Sequence, residues 1–276
     1  MADQPDADPE VADDLYAPAA RAAPRYVQIA IDQGVVRLTL NKPPANVLSI
    51  EVMEELAAGL ESLQYEHGVK LVVVAAAGKY FSAGFDVAEH LGDRSYVMLE
   101  TFRRILDDLA RMDKPVLAVV PGPALGAGNV LVAACDMAIA AASAKFGQPE
   151  IKAGVFNTGA AALLPRIVGR KRAFEIVLGG ASISAAEAER IGLITRAVPD
   201  ETLEAEAAVI AHRFQESSAA VLQCARRALA GGLDVPFADA LRHAEDVYLN
   251  QLMASEDAVE GLQALLAKRK PAWKDR

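Results

Sequence analysis

The stretch from Val116 to Asn129 reads VLAVVPGPALGAGN, and its order of residue types decides the fold class. The apolar run over 116–120 is typical of a strand buried between two layers of helices. Prolines and glycines follow at once and end the strand. A helix, entered through Gly126 and Gly128, is then predicted over 124–134. A strand, a glycine-rich loop and a helix in this order indicate an α/β fold built from βαβ-type units.

The residues on both sides of this stretch extend the same pattern. Two short apolar runs flank Asp32-Gln33-Gly34 and predict a hairpin over 26–40. Ser49 is the predicted cap of a helix that follows the hairpin. Further buried strands are predicted over 70–75 and 137–140. These elements form the strand-rich half of the predicted core.

The second half of the chain differs, because from Gly159 onward the pattern predicts almost only helices. The predicted organisation is therefore an α/β core over 25–200, which includes a helix over 95–112, and a C-terminal helical region over 201–276. Residues 1–24 are rich in Ala, Pro and Asp. We expect them to form a disordered acidic tail, and their aspartates argue against a targeting signal.

The composition excludes several classes of protein. With 53% hydrophobic and 24% charged residues, the chain of 276 residues fits a globular protein. No uninterrupted apolar run reaches the ~18 residues of a membrane span. The net charge of −9 argues against a nucleic-acid binder. Cys135 and Cys224 are too few for a disulfide framework and predict reduced thiols in a cytoplasmic protein.

Common catalytic and cofactor signatures are absent from the sequence. It has no P-loop lysine motif, no complete G-x-G-x-x-G and no C-x-x-C or H-E-x-x-H. The four histidines are scattered without ligand spacing, so no metal site is predicted. His90 is the one histidine close to a glycine-bearing loop and is a candidate for substrate contact.

Two glycine-rich loops, Phe81–Asp86 and Pro121–Asn129, each follow a predicted strand and lead into a helix. Small residues there leave main-chain N–H groups uncovered, close to the positive end of a helix. Two converging N–H donors can stabilise negative charge that develops on an oxygen atom. The alternative is that the glycines only make tight turns. Spacing alone leaves both interpretations open.

Glu150 is the third candidate feature, within Phe146-Gly147-Gln148-Pro149-Glu150-Ile151. A glutamate beside a proline in an apolar stretch can have a raised pKa and move protons. An exposed loop charge is the alternative interpretation.

Taken together, these segments resemble the enoyl-CoA hydratase/isomerase (crotonase) family, from about Tyr26 to Arg276. The motifs that carry the resemblance are Leu40–Pro43, Phe81–Asp86, Ala124–Gly128, Cys135–Asp136, Phe146–Glu150 and Glu187–Leu193. Within the family, residues 89–91, 147–156 and 252–262 look most like those of cyclohexa-1,5-diene-1-carbonyl-CoA hydratases.

The resemblance implies a spiral of ββα units and a C-terminal helical region that trimerises, giving a homotrimer or a dimer of trimers. It also implies an acyl-CoA substrate, with coenzyme A as part of the substrate and no separate cofactor. The thioester carbonyl would lie between the amides of Phe85 and Ala127. Glu150 matches a catalytic glutamate of the family. The resemblance further implies substrate-binding roles for Lys42, Ala83, Asp86, Val87, Gly128, Val130 and Lys268.

The sequence departs from the family's hydratase pattern at two places. Val130 stands where a first catalytic glutamate is expected, and Asn157-Thr158 replaces a Pro-Gly pair. Hydration uses one group to activate water and another to deliver a proton, and valine can do neither. Asn157 could orient water beside Glu150. The open alternatives are a hydratase, an isomerase that uses Glu150 alone, and an acyl-CoA-binding subunit without catalysis.

Overall fold

A computed structural model describes residues 25–276, and the predicted acidic tail over 1–24 lies outside the described residues. Two sheets and a set of helices form the fold. In chain order the strands are β1 (Val27–Asp32), β2 (Val35–Leu40), β3 (Leu71–Ala76), β4 (Val116–Val120), β5 (Ala124–Leu125), β6 (Met137–Ala141), β7 (Lys145–Gly147), β8 (Ser182–Ser184) and β9 (Arg196–Val198). The helices are α1 (Ile50–Leu63), α2 (Arg94–Arg111), α3 (Ala127–Ala134), α4 (Thr158–Ile167), α5 (Gly169–Gly179), α6 (Ala185–Arg190), α7 (Leu203–Gln215), α8 (Ala219–Gly231), α9 (Phe237–Asn250) and α10 (Glu256–Leu266).

The larger sheet has the strand order β1-β2-β3-β4-β6-β9. The β1–β2 hairpin is antiparallel and every other neighbouring pair is parallel. Gln33 and Gly34 at the hairpin turn have φ angles of 46° and 82°. Two positive φ angles suit the right-handed twist of the strands, so the predicted hairpin is confirmed.

The smaller sheet has the strand order β5-β7-β8. Its strands β5 and β7 directly follow β4 and β6 of the larger sheet in the chain. Two isolated parallel bridges continue this sheet. Ser82 pairs with Ala124 of β5, and Leu48 pairs with Phe85. The chain thus repeatedly adds a long strand to one sheet and a short extended segment to the other before a helix. This repetition is the spiral of ββα units that the family resemblance implied.

Two apolar clusters hold the layers together. One joins the larger sheet to α1, α2 and α3 and contains fully buried side chains such as Leu56 and Phe102. The other covers the opposite face of the sheet, where Leu203 and Ala207 of α7 pack on strand residues such as Leu117. Strands buried on both faces read as continuous apolar runs, which explains why the sequence pattern located them correctly.

Three expectations about local structure were wrong. Residues 124–125 form β5, so the helix predicted from 124 begins at Ala127. Strands β8 and β9 occur after Gly159, where almost only helices were expected. Each has three residues, too few to show a hydrophobic period. Their strand conformation depends on the pairing of β8 with β7 and of β9 with β6.

The third error concerns the start of α1. Ser49 precedes the helix, but its hydroxyl makes no capping hydrogen bond and accepts one from Lys42 Nζ at 2.6 Å instead. The carboxylate of Glu89, distant in sequence, accepts the Ile50 N–H at 2.8 Å. A tertiary contact has therefore replaced the local cap.

Within residues 25–276 no helix combines the length and apolar character that crossing a membrane requires. The same residues contain no group of three or more His, Cys, Asp or Glu side chains placed to hold a metal ion.

Candidate active site

The two glycine-rich loops meet in the structure. Gly84 has a φ of 99°, and a β-carbon there would lie 3.0 Å from the carbonyl oxygen of Leu125 and 3.4 Å from the nitrogen of Ala127. A side chain at this position would be strained and would push the loops apart. The approach brings the amides of Phe85 and Ala127 close together. Neither amide donates a recorded hydrogen bond to another main-chain group of residues 25–276.

Hydrogen bonds of the Gly126 main chain fix the direction of the Ala127 amide. Its N–H donates to the carbonyl of Gly147 at 2.9 Å, and its own carbonyl accepts from Gln148 Nε2 at 3.1 Å. The carbonyl of Gly126 and the N–H of Ala127 belong to one planar peptide group and point in opposite directions. Gln148, which is buried, therefore orients this N–H from behind. No role for Gln148 was predicted from the sequence, because a glutamine beside a turn carries no signal by itself.

Glu150 lies directly against this loop. A β-carbon on Gly126 would come within 2.3 Å of Glu150 Oε1, so only glycine leaves room for the carboxyl group. Oε1 accepts a long hydrogen bond of 3.4 Å from Asn157 Nδ2. Oε2 is buried and has no hydrogen-bond partner among the described residues.

The environment of Glu150 favours its protonated form. Burial raises the pKa of this carboxyl group above its ordinary value. A main-chain hydrogen bond, the Asn157 side chain and the charge of His90 act on the pKa in the opposite direction. Burial is the largest effect, so Glu150 is a half-buried acid and not the exposed loop charge of the alternative interpretation.

Asn157 connects Glu150 to helix α4. Its Oδ1 accepts the N–H of Ala160 at 3.1 Å and caps the helix, while its Nδ2 points to Glu150. Because Asn157 hydrogen-bonds the start of α4 through Oδ1 and Glu150 through Nδ2, it fixes the positions of the helix and the carboxyl group relative to each other. That Asn157 orients water stays a prediction.

Val130 lies in α3 behind this site and is fully buried. Its Cγ1 would lie 2.7 Å from a β-carbon on Gly159, so the two helices α3 and α4 are in close contact here. The Val130 side chain is part of the apolar core. It supplies no group that can accept or donate a proton.

A cavity of about 550 Å³ lies beside Asn157, between α2 and α4. Its walls are mainly apolar, with two charged side chains, and consist of Tyr96, Leu99, Glu100, Phe102, Arg103, Leu106, Thr158, Gly159 and Ala162. The ring of Phe85 packs edge-on against Phe102, with ring centroids 4.9 Å apart. The residue that carries one loop amide therefore also contacts the helix that lines the cavity.

A 3₁₀ turn over Val87–His90 follows Phe85 and is held at both ends. Asp86 Oδ1 accepts the Ala88 N–H at 3.0 Å. Glu89 is only 4% exposed, and it bonds the Ile50 N–H and Arg94. Residues 89–91 belong to the family resemblance, but no role was predicted for Glu89, because its partner, the start of α1, is 39 residues away.

Comparison with known proteins agrees with this arrangement. Residues 30–276 match the model of the family described as Enoyl-CoA hydratase/isomerase. The chain belongs to that family. An enoyl-CoA hydratase/isomerase is an enzyme, so the site just described belongs to an enzyme with the expected crotonase fold.

Individual relatives of this enoyl-CoA hydratase/isomerase cover nearly its whole length. A probable enoyl-CoA hydratase of Rhizobium meliloti is 39% identical, over 88% of this chain and 96% of the relative. A cyclohexa-1,5-dienecarbonyl-CoA hydratase of Thauera aromatica is 35% identical, over 92% of this chain and 98% of the relative. The crystal structure of an enoyl-CoA hydratase from Bacillus anthracis superposes with a TM-score of 0.86 at 31% identity, covering 91% of this chain and all of that one.

The structure gathers part of the predicted site of this family member around Gly126. Phe85, Ala127, Glu150 and Asn157 surround that loop through the contacts described above. Gly128 belongs to the same cluster, since a β-carbon on it would lie 2.6 Å from Ser82 Cβ. The structure thus places the predicted catalytic residues together, while their roles stay predictions.

The remaining predicted substrate-binding residues lie at the edges of the site around Gly126. Lys42 Nζ bonds Ser49 and lies 5.1 Å from the centroid of the Tyr26 ring. Ala83 and Asp86 are partly buried, and Val87 is 75% exposed. Lys268 is exposed just beyond α10. Contacts of these residues with coenzyme A stay predictions.

Proposed function

We propose that the protein is an enoyl-CoA hydratase that adds water across the double bond of an enoyl or cyclic dienoyl thioester. One observation carries the proposal: a half-buried carboxyl group of raised pKa, Glu150, lies against the loop that presents the Ala127 amide. The loop positions the carbonyl, and the carboxyl group handles a proton next to it.

The proposed chemistry follows from this placement. The amides of Phe85 and Ala127 bind the thioester oxygen and stabilise the charge that it acquires in an enolate-like transition state. Their positions are set by the fold, so little reorganisation is needed during the reaction. Glu150 transfers a proton at the adjacent carbon. The cavity between α2 and α4 receives the acyl group.

A cyclic substrate is supported by the likeness to the Thauera aromatica hydratase and by the aromatic edge of the cavity. Phe102 lines the cavity, and the Phe85 ring packs edge-on against it. Aromatic side chains in offset or edge-on contact suit a flat ring. A cyclic dienoyl thioester presents such a ring next to its carbonyl group.

The test is a hydration assay of the purified protein with crotonyl-CoA and cyclohexa-1,5-diene-1-carbonyl-CoA, following loss of the conjugated absorbance. We expect turnover of at least one substrate. Glu150→Gln should lower kcat by about 10²-fold or more, the scale of lost general acid–base catalysis. Glu175→Gln is the matched control, because Glu175 is 66% exposed and pairs with Arg172.

Two results would contradict the proposal. Folded wild-type protein that hydrates neither thioester would reject hydratase activity, and calorimetry with an acyl-CoA would then detect a binding protein without catalysis. A Glu150→Gln variant with near-normal kcat would reject the assignment of the acid.

The second candidate function is isomerisation of an enoyl-CoA, and the observation that favours it is that the residue at position 130 is a fully buried valine, which cannot transfer a proton. A single carboxyl group can carry a proton from one carbon to another without a water molecule. A 3-enoyl-CoA assay decides this, because an isomerase produces conjugated absorbance. Absence of that signal would exclude the alternative.

The proposal includes a homotrimer or dimer of trimers in the cytoplasm. Large apolar side chains on the C-terminal helices, such as Leu229, Phe237 and Leu266, are 75%, 81% and 85% exposed in the single chain. Contact between subunits would cover such residues. The cysteines at 135 and 224 are free thiols, which suits a reducing compartment.

A further inference from the structure

The geometry points to His90 as the second proton-transfer group of this site, the group that accepts the proton of the attacking water while Glu150 protonates the carbon next to the thioester. This inference rests on the proposed hydratase function and deepens it. It supplies the group that Val130 cannot supply.

The first argument is the position of His90. It ends the 3₁₀ turn that begins two residues after Phe85, and its ring packs edge-on against the Phe85 ring with centroids 5.8 Å apart. Phe85 in turn contacts Phe102 at the cavity wall. The imidazole is therefore next to a residue that carries one of the two carbonyl-binding amides.

The second argument is that the His90 ring is available. It is partly buried, and within residues 25–276 neither ring nitrogen makes a hydrogen bond. The turn beneath it is held by the Asp86 cap and by the buried carboxylate of Glu89. A ring on a supported turn with both nitrogens unbonded is placed to bind water.

The third argument assigns the two roles. Glu150 Oε1 lies against Gly126, directly before the amide of Ala127, so its carboxyl group is assigned to the carbonyl end of a bound thioester. The carbon next to the carbonyl is therefore its target. The more distant carbon, which water attacks, is left to the group on the other loop, beside Phe85.

The fourth argument is electrostatic. A positive charge on His90 lowers the pKa of Glu150, so the two groups are within electrostatic reach of each other. The reaction creates an imidazolium and a carboxylate together. Because opposite charges in a half-buried site attract, each product charge stabilises the other.

The atoms and electrons balance in this scheme. The water oxygen bonds the β-carbon, and one water O–H bond breaks as neutral His90 takes its proton. The π electrons move toward the thioester oxygen and return as the α-carbon takes the proton of Glu150. Transfer of one proton from the imidazolium to the carboxylate, through water in the cavity, restores both groups.

Other charged groups near the turn are less suited to the role. Asp86 caps the turn, and Glu89 is committed to the Ile50 N–H and Arg94. Glu100 and Arg103 line the cavity from α2. Glu100 is therefore the rival base, and the Glu100→Gln variant tests it.

The experiment compares kcat and KM for hydration in wild type, His90→Gln, Glu100→Gln and Glu150→Gln. His212→Gln is the matched control, because its side chain is 70% exposed on α7. We expect His90→Gln to lower kcat by about 10²-fold with little change in KM, and His212→Gln to have no effect. Added imidazole should restore part of the rate to His90→Ala and none to Glu150→Gln.

Three outcomes would overturn the inference. His90→Gln with kcat within about threefold of wild type, while Glu150→Gln is impaired, would reject His90 and leave the hydratase intact. A large loss in Glu100→Gln alone would transfer the role to that residue. If His90→Ala is impaired but imidazole restores nothing, the ring is structural. Absence of any wild-type turnover is a different result, which rejects the hydratase and this inference together.

Discussion

The carboxyl group of Glu150 is in an environment that suits a proton donor better than a surface charge. One oxygen contacts Gly126 closely, and the other is buried without a partner among the described residues. Burial removes hydration from a carboxylate there, and the long hydrogen bond from Asn157 Nδ2 to Oε1 replaces only part of it. The Glu150 carboxyl group therefore lowers the stability of the fold when it is charged, at a position where it can transfer a proton.

This cost gives a prediction about pH. Burial raises the pKa of Glu150 in the folded state above its unfolded value, so the protonated form stabilises the fold. That contribution is fully present below the unfolded pKa and is lost as pH rises through the folded pKa. Glu150→Gln, which is neutral throughout, should therefore gain in Tm over wild type as pH rises from about 4 to 7. Thermal melts of both proteins across this range measure the difference. A constant difference in Tm would contradict the burial argument.

Gly126 gives a second prediction, because two constraints meet there. Its φ of 55° and ψ of −125° are unfavourable for any side chain, and a β-carbon would displace the Glu150 carboxyl group. Gly126→Ala should lower kcat by about 10²-fold and also lower Tm. Gly179→Ala is the control, since a β-carbon there meets nothing within 4 Å. Equal activity of the two variants would show that the close approach is unimportant.

The N-terminus of α1 and the turn over Val87–His90 stabilise each other. Glu89 supplies the capping hydrogen bond that the Ser49 side chain does not make, and a negative charge is favourable at this end of a helix. The same contact holds the turn that carries His90 and follows Phe85. A helix start and a site loop thus depend on a single buried side chain.

Removal of this contact should destabilise the protein. Glu89→Ala leaves the buried Ile50 N–H without a partner, and we expect a loss of about 1–3 kcal/mol in the free energy of unfolding. Arg94→Ala should cost less than about 1 kcal/mol, because the Arg94 side chain is 62% exposed. Urea denaturation of the two variants tests the contrast. Similar losses in both would mean that the ion pair, and not the helix cap, carries the energy.

The elements with a strong hydrophobic pattern are the ones whose positions were predicted correctly from the sequence. Strands β3, β4 and β6 are buried on both faces and read as apolar runs. Strands β5, β8 and β9 have two or three residues and were not predicted. Segments this short have no period, so their conformation depends on the partner strand.

At the scale of the whole molecule, the C-terminal helices leave apolar side chains exposed that the core does not use. Leu229 and Phe237 are 75% and 81% exposed at the end of α8 and the start of α9. Burying such residues between subunits would remove apolar surface from water. The C-terminus itself is anchored, because buried Asp257 accepts the N–H groups of Lys274 and Asp275.

The proposed assembly predicts a solution mass of three or six times the 29.2 kDa of one chain. Light scattering coupled to size-exclusion chromatography measures this mass. The double change Leu229→Glu with Phe237→Glu should lower it toward a single chain. Tyr65→Glu, at an equally exposed side chain outside the C-terminal helices, should leave it unchanged. A wild-type mass of one chain would reject the assembly.

The sequence alone determined the buried parallel strands, the two glycine loops and the candidate acid Glu150, because these depend on local periodicity and on short motifs. Three further features became known from the folded chain: Gln148 directs the Ala127 amide, Glu89 reaches the start of α1, and His90 lies beside Phe85. The physical reason is that hydrogen bonds and ring contacts between distant segments leave no local signal. They exist only once the core has packed.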